Sequence, residues 1–357
     1  MTGHREFDLW KGIGFALLAA LLFGASTPLA KSLLPQVAPV LMAGLLYLGS
    51  GVGLGVYRLI RSRMNAPGSR EAALTRNDLP WLAGAIVAGG IVGPVLLMWG
   101  LMTTPASSAS LLLNLEGVLT ALLAWFVFRE NFDARIAIGM GLIAAGGVFL
   151  SWSGRPEAGL PWSSFAIAGA CFAWALDNNL TRKVSAGDPV QIAMLKGMVA
   201  GSVNTALAFT LGAKLPAAPS LVAVGAVGFL GYGVSLALFV LALRHIGTAR
   251  TGAYFSVAPF AGAVISILLL GDTLTLGVGV AAGLMGLGVW LHLTERHKHD
   301  HRHEAMEHEH LHSHDAHHQH AHEPAAPPGE PHLHWHRHEQ LAHSHPHFPD
   351  IHHRHRH

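Results

Sequence analysis

The sequence predicts an all-α integral membrane protein: ten transmembrane helices arranged as two inverted five-helix repeats, followed by a disordered His-rich C-terminal tail. Three observations predict it. Residues 1–294 are overwhelmingly apolar, whereas residues 297–357 hold 23 of the chain's 26 histidines. The linkers between the apolar segments divide sharply in their Lys and Arg content. The body also matches itself at an offset of 150 positions.

A helix crosses the hydrocarbon layer with about 20 apolar residues. Such segments lie near 12–31, 38–57, 80–101, 107–128, 136–153, 162–181, 190–211, 219–243, 252–270 and 274–293. The first follows Lys11. It exceeds the core of a typical secretory signal and has a counterpart later in the chain, so it reads as a span. Leu79 to Leu115 carries no charge, but its 37 residues are too many for one span. Thr103-Thr104-Pro105 supplies the turn.

Charge orients the spans. With the N terminus inside, the inner linkers carry Arg5 and Lys11; Arg58, Arg61, Arg63, Arg70 and Arg76; Arg129 and Arg135; Arg182 and Lys183; Arg244 and Arg250. The outer linkers carry Lys31, Arg155 and Lys214. Thirteen cations against three predicts cytoplasmic termini, and so a cytoplasmic tail. A formal net charge of +2 gives no reason to expect nucleic acid as a partner. The single cysteine, Cys171, excludes an intrachain disulfide and sits in an apolar run as a small buried thiol would.

At the 150-residue offset, Phe15-Ala16 falls on Phe165-Ala166, Pro39-Val40 on Pro189-Val190, and Gly51 on Gly201. With small gaps, Phe128-Arg129-Glu130 matches Leu270-Gly271-Asp272, and Gly147-Val148 matches Gly288-Val289. The chain thus divides into 12–153, 162–293 and the tail at 295–357. Five spans per unit is odd, so the second unit crosses the membrane in the opposite sense. Inverted repeats are a frequent architecture of secondary transporters, which bind substrate near the midplane between the repeats.

LLLNLEGVLTALLAWFVFREN (Leu111 to Asn131), followed by IGMGLIAAGGVFL (Ile138 to Leu150), resembles the fourth and fifth helices of an EamA domain. YFSVAPFAGAVISILLLGDTLT (Tyr254 to Thr275) with GLMGLGVWL (Gly283 to Leu291) resembles the same pair in a second domain. The chain is similar to the drug/metabolite transporter superfamily over about residues 12–293. It departs where the family often has proline after the glutamate, a position held here by Gly117. The resemblance implies a ten-helix carrier with a central cavity; the family's substrates range over amino acids, sugars, nucleotide derivatives and drugs.

Glu116 is the sharpest candidate. It lies roughly 14 Å from the outer end of its span at 1.5 Å per residue. A carboxylate at that depth is costly and normally faces a cavity or a partner, which suits substrate contact or proton coupling. Asn114 lies two residues earlier, on another side of the helix. Lys196 sits about 10 Å inside the cytoplasmic edge, as either a cavity charge or a snorkelling lysine, and pairing with Glu116 is one option. Asp177-Asn178-Asn179 closes the sixth span near Arg182 and Lys183, and reads first as interfacial. It also matches Thr27-Pro28-Leu29, a proline-interrupted stretch of the first span, and matched interruptions point to a transporter site. Ser26, Thr27, Trp99, Trp174, Tyr232 and Tyr254 are candidates for a cavity wall. GSGVGLG (Gly49 to Gly55) and GVGVAAG (Gly277 to Gly283) resemble dinucleotide loops, but they lie inside spans, where small residues let helices approach.

The tail offers imidazoles at His301, His303, His308, His310, His312, His314, His317, His318, His320, His322, His332, His334, His336 and His338. Neutral imidazoles ligate divalent transition metals, although no fixed tetrahedral spacing selects one. The segment has too little apolar surface to fold a core of its own.

Together these readings describe a non-enzymatic secondary carrier of a small organic metabolite or drug-like compound in a bacterial-type inner membrane. Its partners are the lipid bilayer, the substrate and divalent metal on the tail; no cofactor is required, and a homodimer is compatible. The alternatives are a transition-metal transporter or exporter with the tail as collector or sensor, and a non-transporting membrane metal buffer.

Overall fold

The computed structural model describes residues 2–63, 74–128, 134–151, 162–184, 188–239, 241–242, 251, 254–293, 298–302, 306–312, 332–338 and 342–346. The body is helical. Helix α1 spans Thr2–Leu33 and contains Pro28, and α2 spans Pro39–Arg63. A third rod joins α3 (Leu79–Ala85), a π-helical turn (Ile86–Val92) and α4 (Gly93–Thr103). A fourth consists of α5 (Ala106–Leu112) and α6 (Leu115–Phe128), interrupted at Leu113–Asn114. Helices α7 (Ala134–Ser151), α8 (Trp162–Thr181) and α9 (Pro189–Thr210) follow. Helix α10 (Ala218–Gly228) runs into a second π-helical turn, Phe229–Val234. Helices α11 (Ala258–Leu270) and α12 (Leu276–Leu293) complete the body.

Among the described residues, six stretches are long and apolar enough to cross a membrane: Trp10–Leu33, Pro39–Arg63, Leu79–Thr103, Ala106–Leu123, Val190–Thr210 and Ala218–Phe239. Ala137–Leu150, Ala258–Leu270 and Leu276–Leu291 are apolar but shorter. Helix α8 has 20 residues, and Asp177, Asn178 and Asn179 near its end lower its hydropathy.

The helices of the two halves interleave. Helix α1 packs on the second π turn and on α11; α8 packs on the first π turn, α4 and α6. Helices α2 and α9 cross at backbone contact. A Cβ on Gly51 would lie 2.5 Å from the Met198 amide nitrogen, and one on Gly197 would lie 2.6 Å from the Gly51 nitrogen. Small residues at such a crossing let dispersion act between two backbones, which is how helices associate where lipid removes the hydrophobic drive. Helices α7 and α12 pack around Ile143, Met140 and Met285. The larger core gathers Leu41, Met42 and Leu46 of α2 with Leu97, Met98 and Leu101 of α4 and Ile167, Cys171 and Trp174 of α8.

The irregularities recur in pairs. The third rod and the α10 rod each contain a π turn. The α5–α6 rod breaks at Leu113–Asn114, and the run into α11 breaks at Ser256–Val257. The first π turn has a local cause. In a π turn the carbonyl of residue i accepts from residue i+5, and for Gly89 that residue is Pro94, which has no N–H. The Gly89 carbonyl accepts instead from Tyr47 Oη at 2.7 Å and Trp174 Nε1 at 2.9 Å. The Gly90 carbonyl accepts from Asn204 Nδ2 at 3.1 Å.

Within the tail, four short strands are described: β1 (Lys298–Arg302), β2 (Met306–His312), β3 (His332–His338) and β4 (Ala342–Pro346). Strand β1 pairs with β4, and β2 with β3, both antiparallel. The physical reason is the period of two in the x-His repeat, which is the period of a strand.

Candidate functional site

Three consecutive polar residues at the end of α8 point in three directions, because successive residues on a helix turn by about 100°. Asp177 is buried, at 5% exposure, and turns towards α9. Lys196 Nζ donates to its two carboxylate oxygens at 2.6 and 2.7 Å, and Thr181 Oγ1 donates to Oδ1 at 2.7 Å. Asn178 turns towards α6 and donates from Nδ2 to Glu116 Oε1 at 2.8 Å. Asn179 donates to the Thr120 carbonyl at 3.3 Å and back to the Ala175 carbonyl at 2.8 Å.

The Asp177 carboxylate rests on the first π turn. A Cβ built on Gly89 would stand 1.9 Å from Asp177 Oδ2, so only glycine fits there. The same glycine's carbonyl takes the Tyr47 and Trp174 donors. The Tyr47 ring lies 5.4 Å from that of Tyr232, beside the second π turn's own contact with α1, where a Cβ on Gly231 would meet Ser26 Cβ at 2.6 Å. Phe23 joins this aromatic group, with ring centroids 5.9 Å from Tyr232 and 5.6 Å from Phe255. Both π turns therefore abut the first helix of the opposite half, and one continuous set of groups links them.

The charges of the cluster divide unequally. Asp177 and Lys196 neutralise each other, with side chains 8% and 15% exposed. Glu116 accepts from a neutral amide and, among the described residues, has no cation in salt-bridge range. A carboxylate away from water needs a proton or a cation beside it.

The other end of the bundle is closed by capping. Lys31 Nζ donates to the carbonyls of Leu101, Met102 and Thr104, the last at 3.1 Å, at the negative end of α4. Asp272 Oδ2 accepts from the Ser107 amide at 2.8 Å in the first turn of α5. Beneath this closure, a cleft lined by Gly24, Thr27, Ser110, Leu113, Ala258 and Pro259 is too narrow to admit water.

The structure brings Glu116, Asp177, Lys196, Asn178 and Trp174 together. Lys196 pairs with Asp177 and not with Glu116, and Asp177 is buried where an interfacial position was the first expectation. Ser26 and Tyr232 join the aromatic side of the cluster, and Thr27 lines the cleft. Asn114 stands apart: its amide donates to the Leu111 carbonyl at 2.9 Å and closes the break before α6. Trp99, on α4, is 52% exposed. Tyr254 packs with Ala16 and Ala242, away from Glu116.

Of the tail histidines, His301, His308, His310, His312, His332, His334, His336 and His338 lie on described strands. His303, His314, His317, His318, His320 and His322 lie outside the described residues. Sequence reasoning missed Tyr47, Gly89, Thr120 and Thr181. The signal for Gly89 was Pro94, five residues on.

The EamA-like transporter family matches residues 10–152 and again residues 161–294. A protein of Methanothermobacter thermautotrophicus named an uncharacterized transporter is 29% identical over 290 residues, covering 78% of this chain and 84% of its own length. The uncharacterized inner membrane transporter YedA of Escherichia coli K12 is 25% identical over 247 residues, covering 66% of this chain and 76% of its own length. A solved crystal structure superposes with a TM-score of 0.57 at 18% identity, covering 78% of this chain and 95% of the other, which is a likeness of fold.

Proposed function

Because this chain belongs to the EamA-like transporter family, a multi-pass membrane family, we propose that it is a secondary carrier of a small organic metabolite or drug-like compound in the inner membrane. In this reading each half contributes five spans in opposite sense. Both termini are cytoplasmic, following the thirteen-to-three division of Lys and Arg between linkers. Substrate binds between the halves, where the π turns and helix breaks of the two units face one another.

The observation that carries this reading is the division of charge around α8. Lys196 satisfies Asp177, and among the described residues Glu116 is left on Asn178 alone. Glu116 then exchanges a proton with the substrate path, or neutralises a cationic group of the substrate. Asp177, Lys196 and Thr181 hold α8 against α9 and set the position of Asn178. Tyr47, Trp174, Tyr232 and Phe23 supply the apolar and aromatic wall that a small organic molecule needs.

The tail is, in the same proposal, a cytoplasmic binder of divalent transition metal and not part of the translocation path. A metal path through the body calls for converging ligands, and among the described residues no three of His, Cys, Asp or Glu come together.

The test is a screen in sealed proteoliposomes carrying an internal pH dye. Metabolites and drug-like cations are added outside under an imposed pH gradient. The proposal expects a subset to move protons, with no response in empty vesicles. Uptake driven only by Zn²⁺, Ni²⁺ or Co²⁺ would replace it with the metal-carrier reading.

A further inference from the structure

The turn between α4 and α5, Thr104–Pro105, is held from both sides. Lys31 Nζ, at the end of α1, donates to the carbonyls of Leu101, Met102 and Thr104. These groups at the C-terminal end of α4 have no partner within their own helix. Asp272 comes from the opposite half of the chain, in the linker between α11 and α12. Gly271, with φ 68°, ends α11 in the left-handed region and reverses the chain there. Asp272 Oδ2 then accepts from the Ser107 amide at 2.8 Å, a first-turn donor of α5 that its own helix leaves free. Lys31 lies within electrostatic reach of the same carboxylate. A second tie crosses the halves at this end, from Ser220 Oγ of α10 to Gln36 Oε1 in the linker between α1 and α2.

The cleft beneath is shut by backbone. A Cβ on Gly24 of α1 would collide with the Ala258 carbonyl of α11, and one on Gly262 would lie 2.7 Å from both the Gly24 carbonyl and Ser110 Oγ. Leu113, which lines the cleft, is one helical turn from Glu116 along the α5–α6 rod. The closed cleft nevertheless holds polar groups in its walls. Ser110 Oγ is buried without a hydrogen-bond partner among the described residues, and so is Thr104 Oγ1 in the turn above. A buried hydroxyl left unpaired costs free energy, which is recovered when water or a polar solute reaches it. Glu116 and Asn178 keep accessible surface while the cleft admits no water, so they are not reached through it.

We propose that Asp272 is the latch of an outer gate. Its bond to Ser107 ties the α11–α12 linker of one half to the α4–α5 turn of the other and keeps the cleft closed. When the bond breaks, α11 parts from α1 and α5, and Thr27 and Ser110 face an aqueous path that leads down to Glu116. The inference rests on the carrier reading and adds the residue that holds its outer path shut.

The experiment measures labelling of Ser110→Cys by an impermeant thiol reagent in intact cells, on a Cys171→Ser background, with Thr27→Cys as a second probe. Labelling needs no transported compound, so its outcome stands apart from that of the flux screen. Each probe should react slowly in the otherwise unmodified chain. A hydrogen bond to a charged group is strong enough to shift an open–closed equilibrium about tenfold or more, so adding Asp272→Ala should speed labelling by at least about tenfold. Asp272→Asn keeps an acceptor oxygen and should give a smaller increase. In chains that retain the native Cys171 as sole cysteine, both Asp272 variants should leave that thiol unlabelled, since it is buried between α4 and α8 away from the cleft. If Asp272→Ala exposes Cys171, it has loosened the bundle, and Asp272→Asn decides. Equal labelling of Ser110→Cys and Thr27→Cys with and without the Asp272 changes would overturn the latch. Exposure of Cys171 by Asp272→Asn as well would also overturn it and make Asp272 a structural cap of α5.

Discussion

Lys196 Nζ lies 2.6 Å from one carboxylate oxygen of Asp177 and 2.7 Å from the other, so α8 and α9 are joined by a bidentate ion pair. The pair is buried beside a π turn, and each charge depends on the other. Removing one partner of a buried pair leaves an uncompensated charge and costs about 3–5 kcal/mol. Lys196→Met and Asp177→Asn should each lower the melting temperature of the detergent-solubilised protein. The double variant should be more stable than Lys196→Met alone. Additive losses would show that the two side chains do not act as a pair.

Gly89 and Gly117 are expected to respond oppositely to a methyl group. At Gly89 a Cβ would meet Asp177 Oδ2 at 1.9 Å, whereas at Gly117 nothing lies within 4 Å. Gly89→Ala should displace α8 and reduce both folded yield and transport. Gly117→Ala should be neutral or raise stability by up to about 1 kcal/mol, the usual gain of alanine over glycine inside a helix. Thermal unfolding of the two purified variants, with yield compared side by side, checks the contrast.

The membrane orientation has a labelling test. On a Cys171→Ser background, single cysteines introduced between residues 58 and 78 and after residue 295 should be shielded from impermeant thiol reagents in intact cells. A cysteine beside Arg155 should react. The opposite pattern would remove the inverted-repeat argument together with the orientation.

Much of the body was legible because lipid imposes strong rules. Apolar length marked six of the spans, and Gly51 with Gly201 marked the repeat, both glycines lying at the α2–α9 crossing. The depth of Glu116 alone identified it as a candidate. Its partner was not legible, since hydrogen bonding between Asn178 and Glu116 depends on how α8 rotates against α6. Lys196 shows the same limit: sequence gave its depth, but only packing selects Asp177 as its partner. For Trp99 the sequence leaves wall and outer surface open, because periodicity does not separate the two in a helix apolar all round.

Truncation after Thr294 should remove nearly all divalent-metal binding and leave organic-substrate flux largely intact. In the full chain, metal affinity should fall as pH drops below about 6.5, because the protonated imidazole that accumulates there cannot ligate. Zn²⁺ titrations at stepped pH and flux assays on the truncated carrier check both parts. A folded, inserted, truncated carrier without flux would place the tail within the transport mechanism.

The most direct measurement of the central claim compares Glu116→Gln with the unmodified protein in proteoliposomes, following substrate and proton movement together. The variant keeps the shape of the side chain and the acceptor for Asn178, so it should fold and insert normally. If Glu116 carries the proton or holds the substrate's cationic group, coupled flux should be lost, or substrate exchange should persist without proton movement and without pH dependence. An unchanged rate with unchanged pH dependence would contradict the account and make Glu116 a packing residue of α6.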